Sequence, residues 1–129
     1  MPWVHLVIGL ALVEFLFFGI AVGRARARYG VHAPATTGHE VFERYFRVHM
    51  NTLEQLVVFV PSILLFARYA NPALAAALGA IFLVGRLLYF NRYVADPRKR
   101  ELGFVLSMLP TVILLVGGII GAIRALLSG

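Results

Sequence analysis

The chain has 129 residues, 60% hydrophobic and only 14% charged, with a net charge of +6. An ordinary soluble domain is about 45–50% apolar and about 25% charged, and a small one has too little interior to hide such a surplus, so the composition excludes a soluble globule. The absence of cysteine excludes disulfides, thiolate metal sites and a cysteine nucleophile together.

A bilayer-spanning helix needs about 20 mostly apolar residues. The first such run covers 3–22 and is followed by Arg24, Arg26 and Arg28. A secretory signal carries its positive charges before the apolar core, so this run is expected to stay as a span. His5 and Glu14 interrupt it. A mid-span carboxylate reads either as an interhelical hydrogen bond in a bundle core or as a proton-coupling group. The connection that follows contains Gly30, Pro34 and Gly38 and reads as irregular. Its His32 and His39 are too isolated for a metal site, and no metal is expected anywhere.

The second run, 44–67, begins with polar residues. Arg47, Asn51, Glu54 and Gln55 stand at i, i+4, i+7 and i+8, which puts them on one helical face. Arg44 falls on the same side. The stripe reaches about 12 Å into the membrane at 1.5 Å per residue. An ionisable group there costs roughly 2.5–3.5 kcal/mol on insertion scales. Glu54 is too short and too deep to reach water, so it needs a cation or a wet cavity. The bland explanation is a structural ion pair; the sharper one is a pocket for a zwitterionic ligand.

The third run, 72–94, carries Arg86, Tyr89 and Tyr93 at i, i+3 and i+7, again on one face. Tyrosines at this depth are often interfacial belt residues, but their alignment with Arg86 points to the wall of a pocket. Arg86 is also the expected counterion of Glu54. Next come Arg98, Lys99 and Arg100, whose ordinary roles are orientation and contact with anionic lipid. Arg100 lies closest to the membrane and can stabilise an anion lodged between helices. The fourth run covers 102–127. Pro61 and Pro110 are expected to bend their helices.

None of the four runs alternates at period two, which argues against a barrel. Short connections at 68–71 and 96–100 imply antiparallel neighbours. The expected fold is therefore all-α: one domain over 1–129, an integral membrane four-helix bundle of up-down topology. The basic residues cluster around the first and third connections, so those loops are expected to be cytoplasmic and both termini on the opposite side. Topology thus explains the positive charge without nucleic acid.

The segment Arg47-Val48-His49-Met50-Asn51-Thr52-Leu53-Glu54, preceded by Phe42-Glu43-Arg44, resembles the signature of the MAPEG superfamily, the membrane-associated proteins in eicosanoid and glutathione metabolism. The likeness extends to Arg26, to Thr36-Thr37-Gly38, to Arg86, Tyr89 and Tyr93, and to Arg100, and so covers nearly the whole chain. It implies a homotrimer with glutathione as co-substrate at each subunit interface. Arg26, Arg47, Asn51, Glu54, Gln55, Arg86, Tyr89 and Tyr93 would bind it, and Arg100 would hold the thiolate. Ala27 stands where certain leukotriene-forming members carry a second arginine, and Gln55 resembles the amide of microsomal transferases.

The activity this implies is a glutathione transferase or peroxidase acting on hydrophobic electrophiles or lipid hydroperoxides drawn from the membrane. Two alternatives stand beside it. A small four-span drug/proton transporter is suggested by Glu14. A non-catalytic, lipid-binding member of the superfamily would keep the fold without activating a thiol.

Overall fold

The computed structural model describes residues 1–129 and contains four long helices: α1 (Pro2–Tyr29), α2 (Glu40–Tyr69), α3 (Pro72–Ala95) and α4 (Glu101–Ser128). A 3-10 turn, Pro97–Lys99, links α3 to α4. Each long helix contains an apolar window of membrane-spanning length. The chain is an integral, multi-pass, all-α membrane protein.

Two of the four helices, α1 and α2, run well past the apolar residues that define the spans. α1 continues through its arginines to Tyr29 and stops at Gly30, whose φ of 68° is left-handed. A residue without Cβ takes that conformation freely and lets its N–H close on the Arg26 carbonyl. α2 starts where His39 Nδ1 accepts the Val41 N–H at 3.1 Å, and Glu40 and Glu43 meet the positive end of its dipole. At α3, Asn71 Oδ1 accepts the Leu74 N–H at 2.9 Å and Pro72 occupies the first turn. α2 and α4 continue through Pro61 and Pro110.

α2 and α3 pack on each other, and both α1 and α4 pack on the pair. The inward stripe of α1 is Val4, Val7, Ala11, Phe18, Val22 and Ala25, spaced mostly by three and four residues. Stacked rings join the layers: Phe59 and Phe82 lie 3.8 Å apart, Phe18 and Phe90 4.8 Å. Only 30 of 129 residues are buried, so most of the apolar surface faces outward, as lipid requires. Lipid tails are as apolar as leucine, so the helices are held together by close packing rather than by escape from water.

Small residues provide that packing. A Cβ on Gly85 would sit 2.7 Å from the Leu106 carbonyl carbon and 2.8 Å from the Ser107 nitrogen. One on Gly103 would collide with the backbone of Tyr89. These two contacts bring α3 and α4 together at backbone distance, and so fix Ser107 and the start of α4 against α3.

Gly103→Ala should therefore destabilise the protein by about 1–3 kcal/mol through overpacking, seen as a lower Tm in detergent. Gly9→Ala, where nothing lies within 4 Å, is the control and should not lower it. Equal Tm values for the two variants would contradict this account of the α3–α4 seam.

Candidate functional site

Arg86 is wholly buried, at 0% exposure. It lies on the inner face of α3 and reaches α2 and α4. Its Nε donates to Ser107 Oγ at 2.9 Å; its Nη1 donates to Asn51 Oδ1 at 2.9 Å and to Thr52 Oγ1 at 3.2 Å. The two hydroxyls donate back to their own helices, Thr52 to the Val48 carbonyl at 2.8 Å and Ser107 to the Gly103 carbonyl at 2.7 Å. Their lone pairs are thereby turned toward the guanidinium. The Tyr89 ring covers the cation, 4.4 Å from its centre. Hydrogen bonds to a charged group contribute about 1.5–3 kcal/mol each, so this one side chain ties α2, α3 and α4 together.

Beside Arg86 opens a recess of about 380 Å³ lined by Arg47, Asn51, Tyr89, Tyr93, Arg100 and Phe104. The Tyr89 and Tyr93 rings stack at 5.4 Å, and Phe104 lies 6.5 Å from Tyr89. Neither Arg47 nor Arg100 has a carboxylate partner: the ion pairs in the molecule are Arg44–Glu40 at 2.9 Å and Arg98–Asp96 at 3.2 Å. The N–H bonds from the Arg98 side chain and backbone hold the Asp96 carboxyl below the ordinary range, so this acid stays committed to its neighbour. The recess thus offers two uncommitted guanidiniums, an amide and two phenols.

A second recess, of about 370 Å³, adjoins it and shares Arg47 and Tyr93. Arg44, expected on the polar stripe, is spent there: it pairs with Glu40 and donates to the Val94 and Ala95 carbonyls at 3.1 and 3.3 Å.

The other residues singled out in the sequence lie elsewhere. Glu54 and Gln55 line a separate groove of about 240 Å³ between α2 and α4, farther from the basic end. Arg26 donates from Nη1 to the Ala35 carbonyl at 2.7 Å and covers the Phe42 ring at 4.9 Å. It is held by the first connection, away from the recess. His49, across the helix from the stripe, stacks on Phe15 of α1 at 4.5 Å. Glu14 lines none of the larger recesses.

The expected Arg86–Glu54 pair does not form. Thr52 points inward to Arg86, and two positions further the helix has turned about 200°, which leaves Glu54 exposed on the outer side. Sequence reasoning also missed Thr52, Ser107 and Phe104. A signal existed for Ser107: Gly103, Ser107 and Thr111 follow at i, i+4 and i+8, a small and polar stripe on α4 of the kind that packs against another membrane helix.

A family model described as the MAPEG family matches residues 4–120. An uncharacterised protein of Synechocystis is 51% identical over 118 residues, covering 92% of this chain and 86% of the relative. Microsomal glutathione S-transferase 2 of Homo sapiens is 36% identical over 119 residues, 92% of this chain and 81% of that protein. Leukotriene C4 synthase of Cavia porcellus is 33% identical over 84 residues, 65% of this chain and 56% of its own.

Replacing Arg86 by Lys keeps the charge but removes the planar fork that serves three acceptors on two helices. Arg86→Lys should cost about 2 kcal/mol or more, measured as loss of Tm in detergent. A Tm equal to that of the wild type would show that the three bonds do not hold the helices.

Proposed function

The chain belongs to the MAPEG family, and from that premise we propose that it is a membrane-bound glutathione transferase that turns the thiolate of glutathione on hydrophobic electrophiles. The observation that carries this reading is the gathering of Arg47, Asn51, Tyr89, Tyr93 and Arg100 around one recess with no carboxylate to neutralise its arginines.

The chemistry of glutathione matches those groups. Its carboxylates suit guanidiniums, which bind them through paired N–H donors. Its thiol is a weak nucleophile near neutral pH, with a pKa of about 8.5 that an adjacent cation lowers. Arg100 is the cation assigned to the sulfur: it stabilises the thiolate without taking the proton, which leaves to solvent. The sulfur then attacks an electrophilic carbon, the sulfur–carbon bond forms, and the leaving group departs with its bonding pair. A lipid hydroperoxide is attacked at oxygen instead. The S–O bond forms as the O–O bond breaks, the alcohol leaves after protonation, and a second glutathione reduces the resulting sulfenic acid to the disulfide and water. Phe104 and the outward Leu, Val and Ile residues of α4 give the acceptor an apolar approach from the lipid.

Glu54, Gln55 and Arg26 enter the site through assembly. An exposed carboxylate with no ion pair on a membrane helix is costly if lipid covers it, and a neighbouring subunit or the ammonium of glutathione removes that cost. A homotrimer that lays α1 of one subunit along the α2–α4 groove of the next would bring Arg26 to Glu54 and Arg100. The chain acts as one domain, with the two basic connections on the cytoplasmic side, where glutathione is supplied.

Glutathione added to the purified protein near neutral pH should show thiolate absorbance in the ultraviolet, and Arg100→Ala should abolish it. The same variant should lower kcat for conjugation of chlorodinitrobenzene by about a hundredfold, the loss typical of removing one group that stabilises developing negative charge. Absence of glutathione binding at millimolar concentration would end this reading.

A further inference from the structure

Three buried side-chain polar atoms have no hydrogen-bond partner: Nε of Arg44, whose other nitrogens are engaged at the basic end of α2, and, within the spans, Oε1 of Glu14 on α1 and Nη2 of Arg86 on α3. The register of α1 and α3 brings the last two to one level. Val7 packs directly onto Gly79, and the Phe18 ring stacks on Phe90 at 4.8 Å. Each contact joins residue i of α1 to residue i+72 of α3, and the same relation joins Glu14 to Arg86. Glu14 also occupies the inward stripe of α1, between Ala11 and Phe18, and each group lies within electrostatic reach of the other.

Elimination leads to the same pair. The chain has six acidic residues. Glu40 pairs with Arg44 and Asp96 with Arg98. Glu43 accepts the Gly38 N–H at 3.2 Å. Glu54 is exposed on the outer face of α2, and Glu101 is exposed at the start of α4. An arginine stays protonated in proteins, and a wholly buried cation without a counterion is severely penalised. Glu14 is the one carboxylate on the inner side of the bundle that can balance it.

We propose that Glu14 is the counterion of Arg86 across the α1–α3 seam, set beyond direct ion-pair distance and reached through a bridging water, and that it acts as a positioning residue for the recess. Arg86 passes the constraint on: its Nη1 holds the Asn51 amide oxygen at 2.9 Å, so that amide faces the recess in one orientation. Without the carboxylate, the guanidinium would swing toward whatever polar group can balance it, and Asn51 would lose its fixed donor. The effect on glutathione rests on the function proposed above; the ion pair itself does not.

A double-mutant cycle on Tm in detergent, without glutathione, tests the pair. Glu14→Gln and Arg86→Gln should each lower Tm, and together they should lower it by clearly less than the two losses added. Additive losses would overturn the pair. Where Arg86→Gln fails to fold, infrared spectra of the wild type and Glu14→Gln answer the same question. The substitution should remove carboxylate intensity; removal of a protonated-carboxyl band instead would overturn the proposal. For the positioning role, Glu14→Gln should raise KM for glutathione about threefold to tenfold, the ratio given by one lost hydrogen bond of ordinary strength. Its kcat should stay close to that of the wild type, and Glu14→Asp should restore part of the affinity. An unchanged KM, or an equal fall in kcat, would overturn that role even where the pair is upheld.

Discussion

A guanidinium with no exposed surface, set inside a membrane protein, is the constraint on which the rest of this structure depends. Arg86 cannot give up its charge and cannot reach water, so its neighbours must satisfy it. Asn51 and Thr52 supply oxygens from α2, Ser107 from α4, and the Tyr89 ring covers one face. In lipid, where apolar burial does little to press helices together, such a group decides which helices meet and at what level. The glycines let it act. Gly85 and Gly103 bring α3 and α4 to backbone contact, which is what places Ser107 within 2.9 Å of the guanidinium.

The recess follows from the same packing. Once α2 and α4 are fixed against α3, Arg47, Asn51, Tyr93 and Arg100 converge at the basic end of the bundle. Stability and binding are therefore joined through Asn51, which is at once a partner of the buried cation and a wall of the recess. Arg47 and Arg100, by contrast, make no ion pair within the chain. Two free cations facing one opening are an invitation to an anion, and the proposed occupant is a thiol-bearing peptide.

Much of this was legible in the sequence, and the reason is the membrane. Apolar runs long enough to span can be counted directly, and a polar residue inside one is conspicuous because it is expensive. Hence four helices, and five of the nine expected site residues, Arg47, Asn51, Tyr89, Tyr93 and Arg100, are found around one recess. What stayed hidden was direction. Glu54 shares a stripe with Arg47 and Asn51, yet the stripe curves away from Arg86, whose partners turned out to be the inconspicuous Thr52 and Ser107. The family resemblance makes Arg26 a pocket cation, but within one subunit it is bound to the Ala35 carbonyl and the Phe42 ring. The α1–α3 register, which sets Glu14 level with Arg86, needed the Val7–Gly79 and Phe18–Phe90 contacts to reveal it.

The central claim is that the arginine-lined opening beside the buried guanidinium is where a thiol tripeptide sits. An experimental density map of the protein in detergent or nanodisc with saturating glutathione addresses it most directly. The account predicts peptide density between Arg47, Asn51, Tyr93 and Arg100, with the sulfur nearest Arg100 and the Arg86–Asn51 bond intact. Density for the tripeptide at a different surface, with this opening filled only by lipid, would contradict it.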